Sequence, residues 1–282
     1  MIRVPERRLA VMRAELRKMP AFLRRDLLTE WSYRLAFVLD WGGLIVQALI
    51  FAAVQGIVDP SAIPSFEGRQ ASYLEFAAIG IALSSFMGIA LARVYSVFRQ
   101  EQVQGTLESL LLTPTAFTTM QLGSVAYDLL YVPIRTAIFF AFTTAALGTS
   151  FRWSGLGPAL AVLVVFIPFV WGIGILAAAW TITFKRGTGV VGIFITLLTI
   201  GSGTYFPITV LPGWARSMAQ LSPLAIALDA ARGSLIGGAD WAQVVPAVAI
   251  LAPCALVSFF VGSVAFRAAL SRERRRGTLG LY

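Results

Sequence analysis

Few residues in this chain are placed to do chemistry, and their types narrow what that chemistry can be. There is no histidine and a single cysteine, Cys254, inside an apolar stretch, which rules out a disulfide framework and a histidine metal site. No paired carboxylates, serine–base arrangement or metal cluster stands out, as an intramembrane enzyme would require. No G-x-x-x-x-G-K-[ST] stretch is present to cradle nucleotide phosphates, so the chain itself is read as holding no cofactor and hydrolysing no ATP.

What remains is charge in unusual places. Asp128 and Arg135 interrupt a long apolar run, seven residues and about 10.5 Å apart on one helix face, too far for a simple direct pair. A charge at the bilayer centre costs about 2.5 to 3.5 kcal/mol on insertion scales, so each is expected to face protein or water, as a partner-seeking structural group in preference to a substrate contact. Asp229 and Arg232 have the three-residue spacing of a local ion pair. A third set lies in EQVQGTLESLLLTP, residues 101–114. On a helix, Leu107, Leu110, Leu111 and Leu112 fall to one side and Glu101, Gln104 and Glu108 to another, with Gly105 in the first turn and Thr113-Pro114 ending it. By amphipathicity alone this is either an interfacial loop helix or a handle for a soluble partner.

The elements that must position these residues are apolar spans. Of 282 residues, 57% are hydrophobic and 13% charged, against roughly 25% charged in an ordinary soluble domain. A span takes about 20 apolar residues, and the chain offers six windows, leaving no room for a separate catalytic domain. The fold class expected is an all-α polytopic membrane protein. Residues 1–34 read as a basic amphipathic helix on the cytoplasmic surface, with Leu9, Met12, Leu16, Met19 and Leu23 at helical spacing and Pro20 bending or restarting it. The first apolar run begins too late and runs too long for a cleaved signal peptide.

A single six-span domain is expected over 35–266. Its spans run about Leu35 to Val58, Leu74 to Val97, Phe117 to Leu147, Leu156 to Phe184, Thr188 past Gly201-Ser202-Gly203 to Tyr205, and Val244 to Phe266. The second is rich in small residues, Gly80 and Gly88 among them, that let another helix approach closely. Residues 207–238 are too apolar for a solvated loop and too broken by Pro212, Gly213 and Pro223 for a span, so they read as a re-entrant pair of short helices at the outer face. Residues 267–282 form a basic tail.

The net charge of +9 would raise nucleic-acid binding in a soluble protein, but here its distribution reads as topology. Of 23 Lys and Arg, 18 lie in the amino end, beside 101–114, at Lys185-Arg186 or in the tail. Arg69, Arg152, Arg216 and Arg232 fall on the opposite side. Both termini and the 101–114 segment are therefore expected in the cytoplasm of a multi-pass plasma (cell inner) membrane protein.

The order Glu101, Gly105-Thr106-Leu107-Glu108, Leu110-Leu111, Thr113-Pro114 resembles the first cytoplasmic loop of type 2 permeases of ATP-binding-cassette (ABC) exporters. Tyr205-Phe206-Pro207, Leu211-Pro212-x-Trp214, Pro223 and Leu228-Asp229-Ala230-x-Arg232-Gly233 resemble the external segment of the same family. The resemblance implies that 101–114 is a coupling helix docking on a separate cytoplasmic ATPase that binds ATP and Mg, with Glu101, Gly105, Thr106, Leu107, Glu108, Leu111 and Pro114 in that contact. It implies that Tyr205, Phe206, Pro207, Pro212, Trp214, Pro223, Asp229 and Arg232 build an external gate, with Asp229 and Arg232 a structural lock and Trp214 and Tyr205 equally readable as interfacial anchors. A second permease copy or a homologue would complete a pathway lined by the first, second and fifth spans, for an amphipathic drug, lipid or lipid-linked glycan. Two readings compete with it: an ion-coupled secondary transporter using Asp128 and Arg135, and a non-transporting scaffold. Both leave the 101–114 pattern unexplained.

Overall fold

The structure is a computed structural model that describes residues 18–32, 34–103, 117–184 and 188–276; the side chains of 89–103 are outside that description. In chain order the helices are α1 Met19–Ser32, α2 Arg34–Gln55, α3 Tyr73–Val103, α4 Phe117–Leu147, α5 Leu156–Phe184, α6 Thr188–Gly201, α7 Gly213–Gln220, α8 Pro223–Arg232 and α9 Trp241–Arg276. A π turn, Gly233–Gly237, extends α8. Among the described residues three helical stretches are long and apolar enough to cross a membrane, Leu130–Leu147, Trp153–Phe184 and Trp241–Arg272. Three shorter apolar ones are Trp41–Gln55, Tyr73–Gly88 and Gly189–Gly201. The architecture is that of a helical, multi-pass membrane protein.

Helix α5 is the centre of the bundle, lying along both α9 and α3. Small residues set its closest crossing. A Cβ on Gly172 would run into the backbone of Ser258 and Phe259, and one on Gly262 into the Gly172 carbonyl, while the Ser258 hydroxyl donates to the Phe169 carbonyl at 3.1 Å. Val162, Phe166 and Val170 are fully buried beside this crossing, packed with Leu224 and Leu228 of α8. On the other flank α4 packs on α3 and carries α1, whose Phe22 ring occupies the space left by Gly123. Pro20 sits in the first turn of α1, where no helical hydrogen bond is lost. Trp41 of α2 meets Tyr131 of α4 edge-on at 6.1 Å, and Tyr131 stacks on Tyr127 at 5.3 Å.

Two expectations are corrected. The connection after α2, residues 59–72, reads from its two prolines and mixed charge as a loop, yet it is not wholly one. Strands β1 Ser65–Phe66 and β2 Arg69–Gln70 pair antiparallel around Glu67 and Gly68, whose φ angles of 46° and 74° make the turn whose twist matches a two-residue hairpin. The fifth apolar element is also shorter than read, because α6 ends at Gly201 and the chain turns at Gly203 with φ 77° instead of running on to Tyr205. Gly105, Thr106, Leu107, Glu108, Leu111, Pro114, the Lys185-Arg186 turn, residues 1–17 and the tail past 276 lie outside the described residues.

Candidate functional site

The stretch from Gly201 to Gly238 folds as a cap on one end of the bundle. After Gly203 turns the chain, the Thr204 carbonyl comes so close to α3 that a Cβ on Gly80 would collide with it. Tyr205 then stacks on Phe51 of α2, centroids 5.5 Å apart and planes 9° from parallel. Pro207 is buried and starts the Ile208–Val210 turn, and Arg216 of α7 donates back to the Thr209 and Leu211 carbonyls. Pro212 precedes α7, and Pro223 takes the first position of α8, where its missing N–H leaves no bond unmade. Trp214 is 73% exposed and Phe206 half-buried. Trp153 and Trp241 are also exposed at this end.

Arg232 closes the cap. Only 1% of its surface is exposed, and its guanidinium donates through Nε to the Phe76 carbonyl at 3.3 Å and through one terminal nitrogen to the Gly203 and Thr204 carbonyls at 2.9 and 3.0 Å. The same group lies over the Phe76 ring, 3.4 Å from its centroid. The spacing of Asp229 and Arg232 allows a local pair, yet the hydrogen bonds of Arg232 go to three carbonyls, and Asp229 is exposed. One side chain thus ties α8, the turn after α6, and α3 together.

A second lock was not read from the sequence. Glu75, 4% exposed in the first turn of α3, accepts from Arg69 at 2.8 Å, from the Ser150 amide at 2.9 Å and hydroxyl at 3.0 Å, and from the Ser72 amide at 3.0 Å. Arg69 also donates to the Ile236 carbonyl at 3.2 Å, and Arg152 donates to the Gly237 carbonyl at 2.7 Å and, through its amide, to the Leu235 carbonyl at 2.7 Å. Two cations therefore hold the carbonyls of the π turn that ends α8, where the helix dipole favours positive charge. The signal available was a lone carboxylate at the head of an apolar helix, where free amides attract it.

Asp128 and Arg135 are both buried on α4, and Asp128 follows directly on the aromatic contact residue Tyr127. Glu101 falls in the last turn of α3, so the helix that carries Phe76 and Gly80 at the cap runs unbroken to the head of the 101–114 segment.

The family model described as ABC-2 type transporter matches residues 18–236, a stretch that takes in the apolar helices through α6 and the side chains of Arg232, Glu75, Arg69 and Arg152. The chain belongs to the ABC-2 type transporter family. Compared with curated proteins, it finds no match. As an ABC-2 permease it is a membrane-embedded transport subunit and not itself a catalyst. The cap on this permease is built from backbone carbonyls gathered by arginines.

Proposed function

We propose that this permease is the membrane-spanning subunit of an ATP-driven exporter, moving an amphipathic drug, lipid or lipid-linked glycan outward. A separate cytoplasmic ATPase binds ATP and Mg and docks on the coupling segment 101–114. The chain works as a pair of permeases, two copies or one with a homologue, with six spans in each and both termini cytoplasmic. The 18-of-23 asymmetry of Lys and Arg supports that orientation.

The observation that carries the reading is the continuity of α3. From Phe76, under Arg232, to Glu101 is a single helical run of about 37 Å at 1.5 Å per residue. A push at the coupling segment travels along this rod to the point where Gly80 and Phe76 hold the cap shut. Closure of the ATPases shifts α3, the carbonyl set around Arg232 is lost, and the turn at Gly203 frees the pathway. A cap at the end of α3 opposite Glu101 supports release on the side away from the ATPase.

The test is transport by the permease reconstituted with its ATPase in vesicles. ATP hydrolysis supports movement of cargo away from the ATPase side, and an ion gradient without ATP supports none. Transport driven by the gradient alone would replace this reading with a secondary transporter.

A further inference from the structure

Helices α4 and α5 both lie along α3 but hardly meet each other, which leaves a slot between them. Its volume is about 150 Å³. Ile79 to Phe86 of α3, Pro133 to Phe140 of α4 and Leu156 to Leu163 of α5 form its walls, each a stretch of about 10.5 Å along its helix. Ala231 and Leu235 roof it from α8 and the π turn, so the slot ends directly beneath Arg232 and the cap. Among the described residues of the lining Thr136 supplies the only hydroxyl, and the remaining side chains are hydrocarbon. Such a cavity does not hold water. The exposed flanks of Leu156, Leu160 and Ala137 open it sideways between α4 and α5, onto bilayer.

An empty slot there forfeits the dispersion contacts of its lining, and a neighbouring lipid tail can supply them without any dehydration. Its upper rim has a cation in place. Arg152 is exposed four residues before Leu156, next to the exposed Trp153, a residue type enriched at headgroup level. Of the five donors on a guanidinium, the Gly237 carbonyl takes one.

We propose that the slot holds one acyl chain of a phospholipid from the leaflet on the cap side, with the lipid phosphate at Arg152, and that this chain is a resident wedge under α8 and not cargo. Naming that leaflet the outer one rests on the orientation given above; the slot and its occupant do not. By filling the space below Ala231, the chain holds α8 against α3 and so holds Arg232 on its carbonyls.

The permease in phospholipid nanodiscs doped with a phospholipid carrying a mid-chain diazirine reports the occupant by peptide mapping. Labelling concentrates on 133–140 and 156–163, roughly tenfold over the lipid-facing stretch 256–264 of α9. Ala159→Phe fills the slot and removes that excess while leaving α9 labelling unchanged; Ala137→Phe, introduced at the exposed mouth, does the same should the first variant not fold. Arg152→Gln lowers labelling by the phospholipid but not by a neutral alcohol bearing the same chain. Equal labelling of the slot and α9, or slot labelling untouched by both fillings, means passing annular lipid and overturns the proposal. Loss of slot label during ATP-driven turnover with the ATPase means cargo, and overturns it too. Because labelling needs neither ATP nor an ATPase, its failure is distinct from failure of the exporter reading.

Discussion

The guanidinium of Arg232 lies 3.4 Å from the centroid of the Phe76 ring and donates to the carbonyl of the same residue, while another of its nitrogens takes the carbonyls of Gly203 and Thr204. A buried cation is stable only where acceptors surround it, and here the chain provides them by breaking α6 early and turning its carbonyls inward. The interaction is therefore conditional on the position of three segments at once. Moving α8 leaves the charge and all three carbonyls unmet, and moving either of the others breaks part of the set.

Arg232→Met removes the donors and keeps much of the volume. Each buried carbonyl left without a partner costs about 1 to 3 kcal/mol, so the purified permease melts well below the wild type in detergent. Arg232→Lys recovers part of the loss, since an ammonium reaches one or two carbonyls but lacks the planar fork. A Met variant with wild-type melting would show that the cap is held by packing alone.

The Glu75 lock makes a separate demand. Glu75→Gln keeps the shape but turns one acceptor into a donor facing amide, hydroxyl or guanidinium donors already in place. A loss of about 1.5 to 3 kcal/mol is expected, as for hydrogen bonds to a charged group. Combining it with Arg69→Gln adds less than the sum of the two, because both act on one network. Thermal unfolding of the four proteins in one double-mutant cycle reads this coupling directly, and strict additivity would dissolve the network into independent contacts.

The helical, membrane-embedded class and the broken segment after α6 were legible because length and hydrophobicity suffice for helices in lipid, and Pro212, Gly213 and Pro223 punctuate the chain where α7 and α8 begin. Arg232 was legible as a residue of consequence, but not its partners. Backbone carbonyls carry no side-chain signature, and the close approach at Gly80 is made by a turn carbonyl where small residues led to the expectation of a helix. Glu75 escaped notice for a similar reason. Its partners Arg69 and Ser150 come from two different connections, brought together only when α3 and α4 pack, and a charge in a connection reads from sequence as solvated. The β1–β2 turn was hidden by Glu67, a residue rarely found at positive φ.

Orientation is open to a labelling test. Ser61→Cys and Asp240→Cys, at exposed positions on the cap side, react with an impermeant maleimide in intact cells, and Ser271→Cys near the end of α9 reacts only after permeabilisation. The expectation follows from the clustering of Lys and Arg away from the cap. Labelling of residue 271 from outside would invert the permease and with it the direction of transport.

The coupling segment decides between the exporter and every rival. If residues 101–114 dock on an ATPase, Glu108 meets a basic or hydrogen-bonding groove, and Gly105 permits a close backbone approach that a side chain would block. Glu108→Arg and Gly105→Trp then leave insertion and permease pairing intact while weakening ATPase association, or abolishing substrate stimulation of hydrolysis, with transport lost in both. Reversing a charge at an exposed rim changes affinity little, whereas breaking a buried charged hydrogen bond costs about 2 to 5 kcal/mol, so the measured change in affinity reports how deeply the segment is seated. The double variant Glu108→Arg with Arg232→Met separates the two ends of α3. Melting then registers the loss at Arg232 and ATPase association the loss at Glu108, so independent effects on the two readouts assign stability to the cap and docking to the segment. Unchanged ATPase binding and transport in both coupling variants would reduce 101–114 to an interfacial loop helix and leave α3 with nothing to transmit.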